Sequence, residues 1–310
     1  MKVLLNFAII CAILFFFTNT AFSAGEVGET GTTGMSFLRI TPAAHIASIG
    51  GGSSAFFTGP SSVWSNPSLI AFQKERSVHF SHIEWVEGIR QEFASFSTNE
   101  KIGSLGLSVQ LVDSGDIELR GDYPSPEPQG TYSIKNIAFS FSYAVKIIDN
   151  IAVGLTCKRI YEKVSMETAG GYAVDAGISV KTPLDGLSIA AAVRNYGRMG
   201  KLKNDRSKLP SDVILGCLYQ GIVPGIERSF HMVGDILLPK YGDSGVRIGA
   251  ELEAFEHFML RIGFRNDSDL ENVSYGIGLN MGRFCTDVSY TPMKKGFENV
   301  LRFTLGITGF

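Results

Sequence analysis

The residues able to do chemistry are few and far apart. The five histidines, His45, His79, His82, His231 and His257, are spread over most of a 310-residue chain. His79 and His82 are three apart in a stretch that reads as a strand, so their side chains are expected on opposite faces. No Ser/His/Asp or Asp/His constellation can be assembled from the spacing, and neither catalytic residues nor enzymatic activity is expected. Cys11 lies in the N-terminal apolar run, and Cys157, Cys217 and Cys285 lack the close pairing of a disulfide framework or a zinc site. Gly31-Thr32-Thr33-Gly34 lacks the Gly-Lys-Ser/Thr ending of a phosphate loop. Asp113, Asp116, Glu118 and Asp122 concentrate acid in one segment without EF-hand spacing, which reads as a solvated loop rather than a calcium site. No metal and no cofactor is therefore expected. The net charge of −2 argues against a nucleic-acid partner, which demands a basic surface.

Met1-Lys2, the apolar run Val3 to Phe17 (broken by Asn6) and Ala21-Phe22-Ser23 form the pattern of an export signal cleaved after Ser23. An apolar run of about 15 residues is short for a spanning helix, which needs roughly 20. The remaining chain divides into an irregular segment, residues 24–75, and a regular one, residues 76–310. In the irregular segment, Gly50-Gly51-Gly52 and Asn66-Pro67 punctuate a compact stretch from Met35 to Phe72. A structureless loop of that length is uncommon at a surface and makes sense inside something else.

From Arg76 onward the period is two. Ile137, Phe139, Phe141, Tyr143 and Val145 alternate with Ala138, Ser140, Ser142 and Ala144; Leu105, Leu107, Val109 and Leu111 alternate with Gly106, Ser108 and Gln110. Similar series recur to Leu301, Phe303, Leu305 and Ile307. Alternation this sustained is a strand signal. About fourteen segments of this kind approach the ~9–11 residues that a tilted strand needs to cross a bilayer. The alternation is muddied in Ile89 to Ser97 and Phe230 to Leu238.

Short turns, as at Asn99-Glu100, Asp149-Asn150, Pro183-Leu184-Asp185, Phe255-Glu256 and Gly282, intersperse with longer polar stretches: Asp113 to Gly130, Tyr161 to Gly170, Tyr196 to Pro210, Asn266 to Asn272 and Pro292 to Glu298. Bacterial barrels place short turns in the periplasm and long loops outside. Lys158, Asp175, Arg194, Arg247, Glu251, Glu253, Arg261, Arg265 and Arg302 share the parity of the small, polar face, whereas an Arg facing mid-bilayer lipid costs about 2–4 kcal/mol. The fold class expected is all-β: a transmembrane antiparallel β-barrel of about 14 strands. A soluble sandwich also alternates, but the export signal and the Gly/Ser/Ala-rich polar face favour the barrel. On this reading Phe141→Arg blocks assembly and Ser142→Arg is tolerated.

Ser36-Phe37-Leu38-Arg39-Ile40, Ile49-Gly50-Gly51-Gly52, Trp64-Ser65-Asn66-Pro67-Ser68-Leu69, Asp175-Ala176-Gly177, Asn195-Tyr196-Gly197, Leu209-Pro210, Leu215-Gly216 and Leu260-Arg261-Ile262-Gly263-Phe264 occur in an order that resembles the PorV/PorQ family, itself similar to FadL-type long-chain fatty-acid transporters. Ser68 departs from the Ala of the family's Asn-Pro-Ala motif. The resemblance implies a FadL-like barrel of the cell outer membrane plugged by its N-terminal segment, with Gly50, Gly51, Gly52, Asn66 and Pro67 as the plug motif. Taken alone, Asn66-Pro67 reads rather as an ordinary turn at a strand entrance.

Three roles follow as expectations: passage of hydrophobic small molecules, a type IX secretion role holding secreted proteins at the surface, or a purely structural barrel. Ile214 and Leu218 hint at an apolar path, and Tyr123-Pro124-Ser125-Pro126-Glu127-Pro128 at a stiff partner-binding edge. Expected partners are outer-membrane lipid and the barrel-assembly machinery, which reads a terminal aromatic. Phe310 falls on the wrong face for this unless Gly309 admits a bulge.

Overall fold

The computed structural model describes residues 33–121, 123 and 126–310. The expected export signal at residues 1–23, residues 24–32 and the centre of the proline-rich stretch lie outside the described residues. Fourteen strands form the wall: β1 (Ser77–Glu84), β2 (Arg90–Glu100), β3 (Gly103–Asp113), β4 (Ile134–Ile148), β5 (Ile151–Val164), β6 (Glu167–Lys181) and β7 (Leu187–Met199). They continue as β8 (Asp212–Val223), β9 (Arg228–Pro239), β10 (Gly245–Phe255), β11 (Phe258–Arg265), β12 (Val273–Met281), β13 (Phe284–Thr291) and β14 (Val300–Thr308). Each strand pairs antiparallel with its chain neighbours, and β14 pairs with β1 from Thr308↔Ser77 to Leu301↔Glu84. Closure removes every sheet edge, so each backbone N–H and C=O of the wall finds a partner without water. No helix among the described residues is long and apolar enough to cross a membrane.

The alternation sorts as the sequence predicts. Phe139, Phe141, Tyr143, Leu155, Ile262, Phe303 and Leu305 are exposed on the outside, while Ser142, Thr156, Asp175, Arg194, Arg247 and Arg302 are buried inside. The muddied segments are ordinary strands, β2 and β9. Their parity is blurred because large residues point inward: Phe93 on β2 and Val233 and Leu237 on β9 are buried.

Several expectations need correction. Tyr161 to Gly170 is no long loop: β5 and β6 stay paired as far as Val164↔Glu167, and Ser165 turns with φ 53. Tyr196 to Pro210 likewise begins as strand and then forms a small hairpin, Lys201–Leu202 with Asp205–Arg206. Charge parity breaks near strand ends, where Glu84, Arg90, Glu92, Lys135 and Lys163 stand on the outer face, and at Arg159 and Arg198, whose guanidiniums lie 4.9 and 5.3 Å from the rings of Tyr161 and Tyr172. An arginine stacked in a tyrosine belt sits where aromatic girdles flank the apolar band, so it escapes the mid-bilayer penalty. Ser142→Arg would enter a filled lumen rather than open space: Ser142 is wholly buried and bonded to Thr156 at 2.7 Å. Phe310 does reach the outer side. Gly309 adopts φ 75, which a side chain resists, and the Phe310 ring lies 6.4 Å from outward-facing Phe96.

Residues 33–76, ahead of β1, fill the lumen. Thr33 bridges to Lys208 at the long-loop end. Helix α1 (Ala44–Ser48) packs on β11 to β14. The turn-rich stretch that follows leads to α2 (Ser62–Ser65), and the 3-10 helix Pro67–Phe72 packs on β4 to β6. Close approach is possible because wall glycines face it. A Cβ at Gly154 would stand 2.6 Å from Pro67 C and Ser68 N. One at Gly177 would meet the Asn66 amide, one at Gly263 the Ile49-Gly50 backbone, and one at Gly276 the Ser48 side chain. The glycines that alternate along these strands therefore provide backbone-to-backbone clearance.

Candidate functional site: the filled lumen and its mouth

Helix α1 ends in a double glycine turn. Gly50 and Gly51 have φ 71 and 80, and their N–H groups return to Ala47 O at 3.0 Å and Ile46 O at 3.0 Å. Two successive left-handed residues are what a Gly-Gly pair supplies cheaply. The turn is locked to the wall, since Gly50 N–H also reaches Ser274 Oγ at 3.2 Å and Arg247 Nη1 donates to Gly51 O at 3.4 Å. Gly52 lies against Arg247 and Val233.

Asn66 is not an ordinary turn at a strand entrance. Its Oδ1 accepts from Ser68 N–H at 3.0 Å, capping the 3-10 helix that Pro67 opens. Its Nδ2 donates to Ser54 O at 2.8 Å and to Ser179 Oγ at 3.3 Å on β6. One amide thus ties two internal turns to the wall. The five residues of the expected motif fall into two groups, Gly50 to Gly52 against β9 to β12 and Asn66-Pro67 against β5 and β6.

Buried ions occupy the wall side of the lumen. Arg194 forms a two-pronged pair with Asp212, Nε–Oδ1 2.9 Å and Nη2–Oδ2 3.0 Å, and its guanidinium stacks 4.7 Å from the Trp64 ring. Asp175 accepts from Asn195 N–H at 2.7 Å and pairs with Lys158 at 2.7 Å. These bonds stitch a β-bulge, because the β6–β7 register jumps between Val174 and Ala176 while Asn195 adopts φ 55. At the mouth, Arg247 and Arg265 share Asp267 at 2.6 and 2.7 Å, and Arg265 and Arg302 share Glu271 at 2.9 and 3.0 Å. Burial alone would raise the Asp267 carboxyl, but Arg247 and Arg265 outweigh it and hold the group well below the usual carboxylate range.

The sequence reading that no Ser/His/Asp grouping forms is corrected. Ser61 Oγ lies 3.0 Å from His79 Nδ1, His45 Nδ1 lies 3.5 Å from Asp287, and the two imidazoles meet edge to face at 5.4 Å. Long-range packing of the N-terminal segment on β1 and β13 brings them together, which sequence spacing cannot show. The order is unlike a nucleophile–base–orienter chain, because the serine and the carboxylate touch different histidines. Among the described residues no group of three His, Cys, Asp or Glu could hold a metal ion. His82 faces outward and pairs with Glu92 at 2.6 Å, and His257 is in its expected turn.

Apolar side chains gather in two places. Ile214 and Leu218 do point inward; Leu218 packs with Ile49, Ala55 and Val233, against the N-terminal segment rather than along an open path. Higher up, Phe37, Leu38, Ile160, Met199 and Leu209 form a buried cluster under the long-loop end. Beside it a cavity of ≈ 180 Å³ opens at the mouth, lined by Arg39, Ile40, Trp85, Leu237, Asp243 and Arg265 among others. Arg39 and Trp85 carry no signal in composition or spacing; Arg39 stood only within the resemblance motif.

No family model matches the chain, and no curated protein matches it. Among solved structures the fold is similar to the toluene transporter TbuX of Ralstonia pickettii, with TM-score 0.60 and 12% identity over 86% of this chain and 98% of that one. The toluene transporter TodX of Pseudomonas putida gives TM-score 0.58 and 12% identity over 86% and 97%. A FadL homologue of Pseudomonas aeruginosa gives TM-score 0.56 and 12% identity over 86% and 98%. At these identities the likeness shows a shared fold, a closed fourteen-stranded antiparallel barrel like those of these three proteins.

Proposed function

We propose that the protein is an outer-membrane barrel, exported through a cleaved signal at residues 1–23, that passes hydrophobic small molecules, with residues 24–75 acting as its plug and Gly50, Gly51, Gly52, Asn66 and Pro67 as the plug's turning points. The observation that carries this reading is the apolar cluster of Phe37, Leu38, Ile160, Met199 and Leu209, set between the long-loop mouth and the deeper lumen. A solute entering there meets apolar side chains of wall and plug together, and displacement of the plug is the transport step. The toluene-transporting neighbours share the fold and support the reading. The exposed apolar band supports contact with outer-membrane lipid. Phe310, turned outward beside Phe96, suits recognition of the terminal aromatic by the barrel-assembly machinery.

The test is entry of labelled toluene into outer-membrane-permeation-limited cells with and without the protein. Faster entry, slowed by Phe37→Asp in the apolar cluster, is expected. Equal entry in both refutes transport of this class.

The resemblance to PorV/PorQ proteins supports a second reading, a surface site for secreted proteins in type IX secretion. The long-loop end offers a platform for it in the β5–β6 extension and the hairpin of Ile117–Leu119 with Gly130–Tyr132. Copurification of exported proteins that is lost on trimming these hairpins is the expected result; capture unchanged by trimming counts against it.

A further inference from the structure

The outer face of the wall is electrically uneven. On β1 and β2 it carries both signs, with Glu84 opposite Arg90 and Glu92 bonded to His82 at 2.6 Å. On β5 to β7 it carries cations: Arg159, Lys163 and Arg198 are exposed, while the carboxylates of these strands, Glu162, Glu167 and Asp175, have the inward parity. Lys135 on β4 is neutralised by Asp113 at 3.1 Å. Among the described residues neither Arg159 nor Arg198 has a carboxylate within ion-pair distance. Their neighbours are the rings of Tyr161 and Tyr172, and Arg159 Nη1 donates to Gly171 O at 3.4 Å.

Arg159, Tyr172 and Arg198 stand side by side on β5, β6 and β7, so the two guanidiniums leave backbones about 10 Å apart. At ~3.4 Å per residue and a tilt of about 40°, Arg159 stands about 20 Å above Ile151 at the short-turn end, and Lys163 about 30 Å above it. An apolar band about 25 Å tall that starts at the short turns therefore ends between them. Tyrosines belong at that depth. Below the arginines the wall is apolar and exposed, with Phe141, Leu155 and Val174. Arginine forks match phosphate, and stacking on the rings holds these two in place.

We infer that this patch is a docking site for a phosphorylated lipid of the outer leaflet. Its phosphate lies between Arg159 and Arg198 with Lys163 above, and its acyl chains run down past Phe141, Leu155 and Val174. The inference rests on the outer-membrane reading with the long loops outside, and is independent of transport.

The full-length folded barrel in detergent micelles is titrated with lipid A bearing its phosphates, with the same lipid after enzymatic dephosphorylation, and with inorganic phosphate, and bound lipid is read by native mass spectrometry. Phosphorylated lipid A is expected to bind at least about tenfold tighter than either of the others, since only it joins charge-assisted hydrogen bonds to apolar contact. Arg159→Gln with Arg198→Gln should weaken it by about tenfold or more, and Arg90→Gln, on the face of mixed charge, should leave it unchanged. Equal binding of the two lipids, binding undiminished in the double variant, or an equal loss in Arg90→Gln overturns the site. Inorganic phosphate bound as tightly as the lipid marks a free-anion site and overturns lipid docking. Should the double variant fail to fold, Arg198→Gln alone and the wild-type lipid comparison still decide. Membrane fractionation is run alongside: a barrel found in the outer membrane that does not prefer the phosphorylated lipid removes this inference and leaves the outer-membrane reading standing.

Discussion

Asp212→Asn is the sharpest perturbation of the joint between wall and plug. Both Arg194 and Asp212 are almost fully buried, at 1% and 2% exposure. Asparagine preserves the shape of the carboxylate but not its charge, and leaves a guanidinium inside the barrel with half its partners. Removing one member of a buried pair costs about 3–5 kcal/mol. Asp175 and Asp235 also lie within electrostatic reach of Arg194, which places the expected loss at the lower end, about 3 kcal/mol. The double change Arg194→Met with Asp212→Leu removes both charges and should recover most of that loss, since a buried pair and an apolar replacement are often close in energy. Trp64, stacked on Arg194, supplies the signal in a Trp85→Phe background. The assay is urea unfolding of the purified barrel, followed by this fluorescence and by the heat-dependent gel shift. Asp212→Asn within about 1 kcal/mol of the wild type, the range of exposed pairs, would refute a desolvated pair of wall residues beneath Trp64.

Other expectations are as direct. Phe141→Arg meets hydrocarbon and should cost about 2–4 kcal/mol and most of the inserted protein, whereas Ser142→Arg should leave the barrel inserted but expel the 3-10 helix Pro67–Phe72, read as new proteolysis near Phe72. Gly263→Val collides with the Ile49-Gly50 backbone and should raise single-channel conductance, a change absent in Gly130→Val, where an added Cβ meets nothing. Asp267 is depressed in the fold, so its stabilisation is present above the ordinary value of 3.8 and is lost as pH falls further. Asp267→Asn should therefore be less stable at neutral pH and flatter with acid below about pH 4, measured by the same urea titration; a parallel pH profile would show the ion cluster to be solvated.

The wall was readable because lipid and lumen impose one rule on every strand, as in Ile137 to Val145. Reading faltered where the rule is local. Phe93 points inward because the lumen is filled by Ala43, Ile46 and Trp64 rather than by water. Tyr161 and Tyr196 looked like loop residues because strands that outrun the bilayer carry polar and aromatic side chains on both faces. Asn195 reverses the parity of β7 through a bulge that only its pairing with Asp175 reveals. The site was less legible still. Gly50 to Gly52 and Asn66-Pro67 stood out as punctuation, but Arg39, Ser61 and Asp287 acquire meaning only when about forty irregular residues are threaded through the barrel, and no periodicity encodes that path.

A thiol already present tests the orientation on which everything else depends. Cys157 lies on the exposed face between Leu155 and Arg159, whereas its neighbour Thr156 is wholly buried inside. In membranes of cells carrying Cys217→Ser and Cys285→Ser, a lipid-soluble maleimide should label Cys157 and a charged, impermeant one should not. With Cys157→Ser and Thr156→Cys, the lipid-soluble reagent should find nothing. Equal labelling of both positions by either reagent would contradict a closed wall with hydrocarbon on one side and a packed plug on the other.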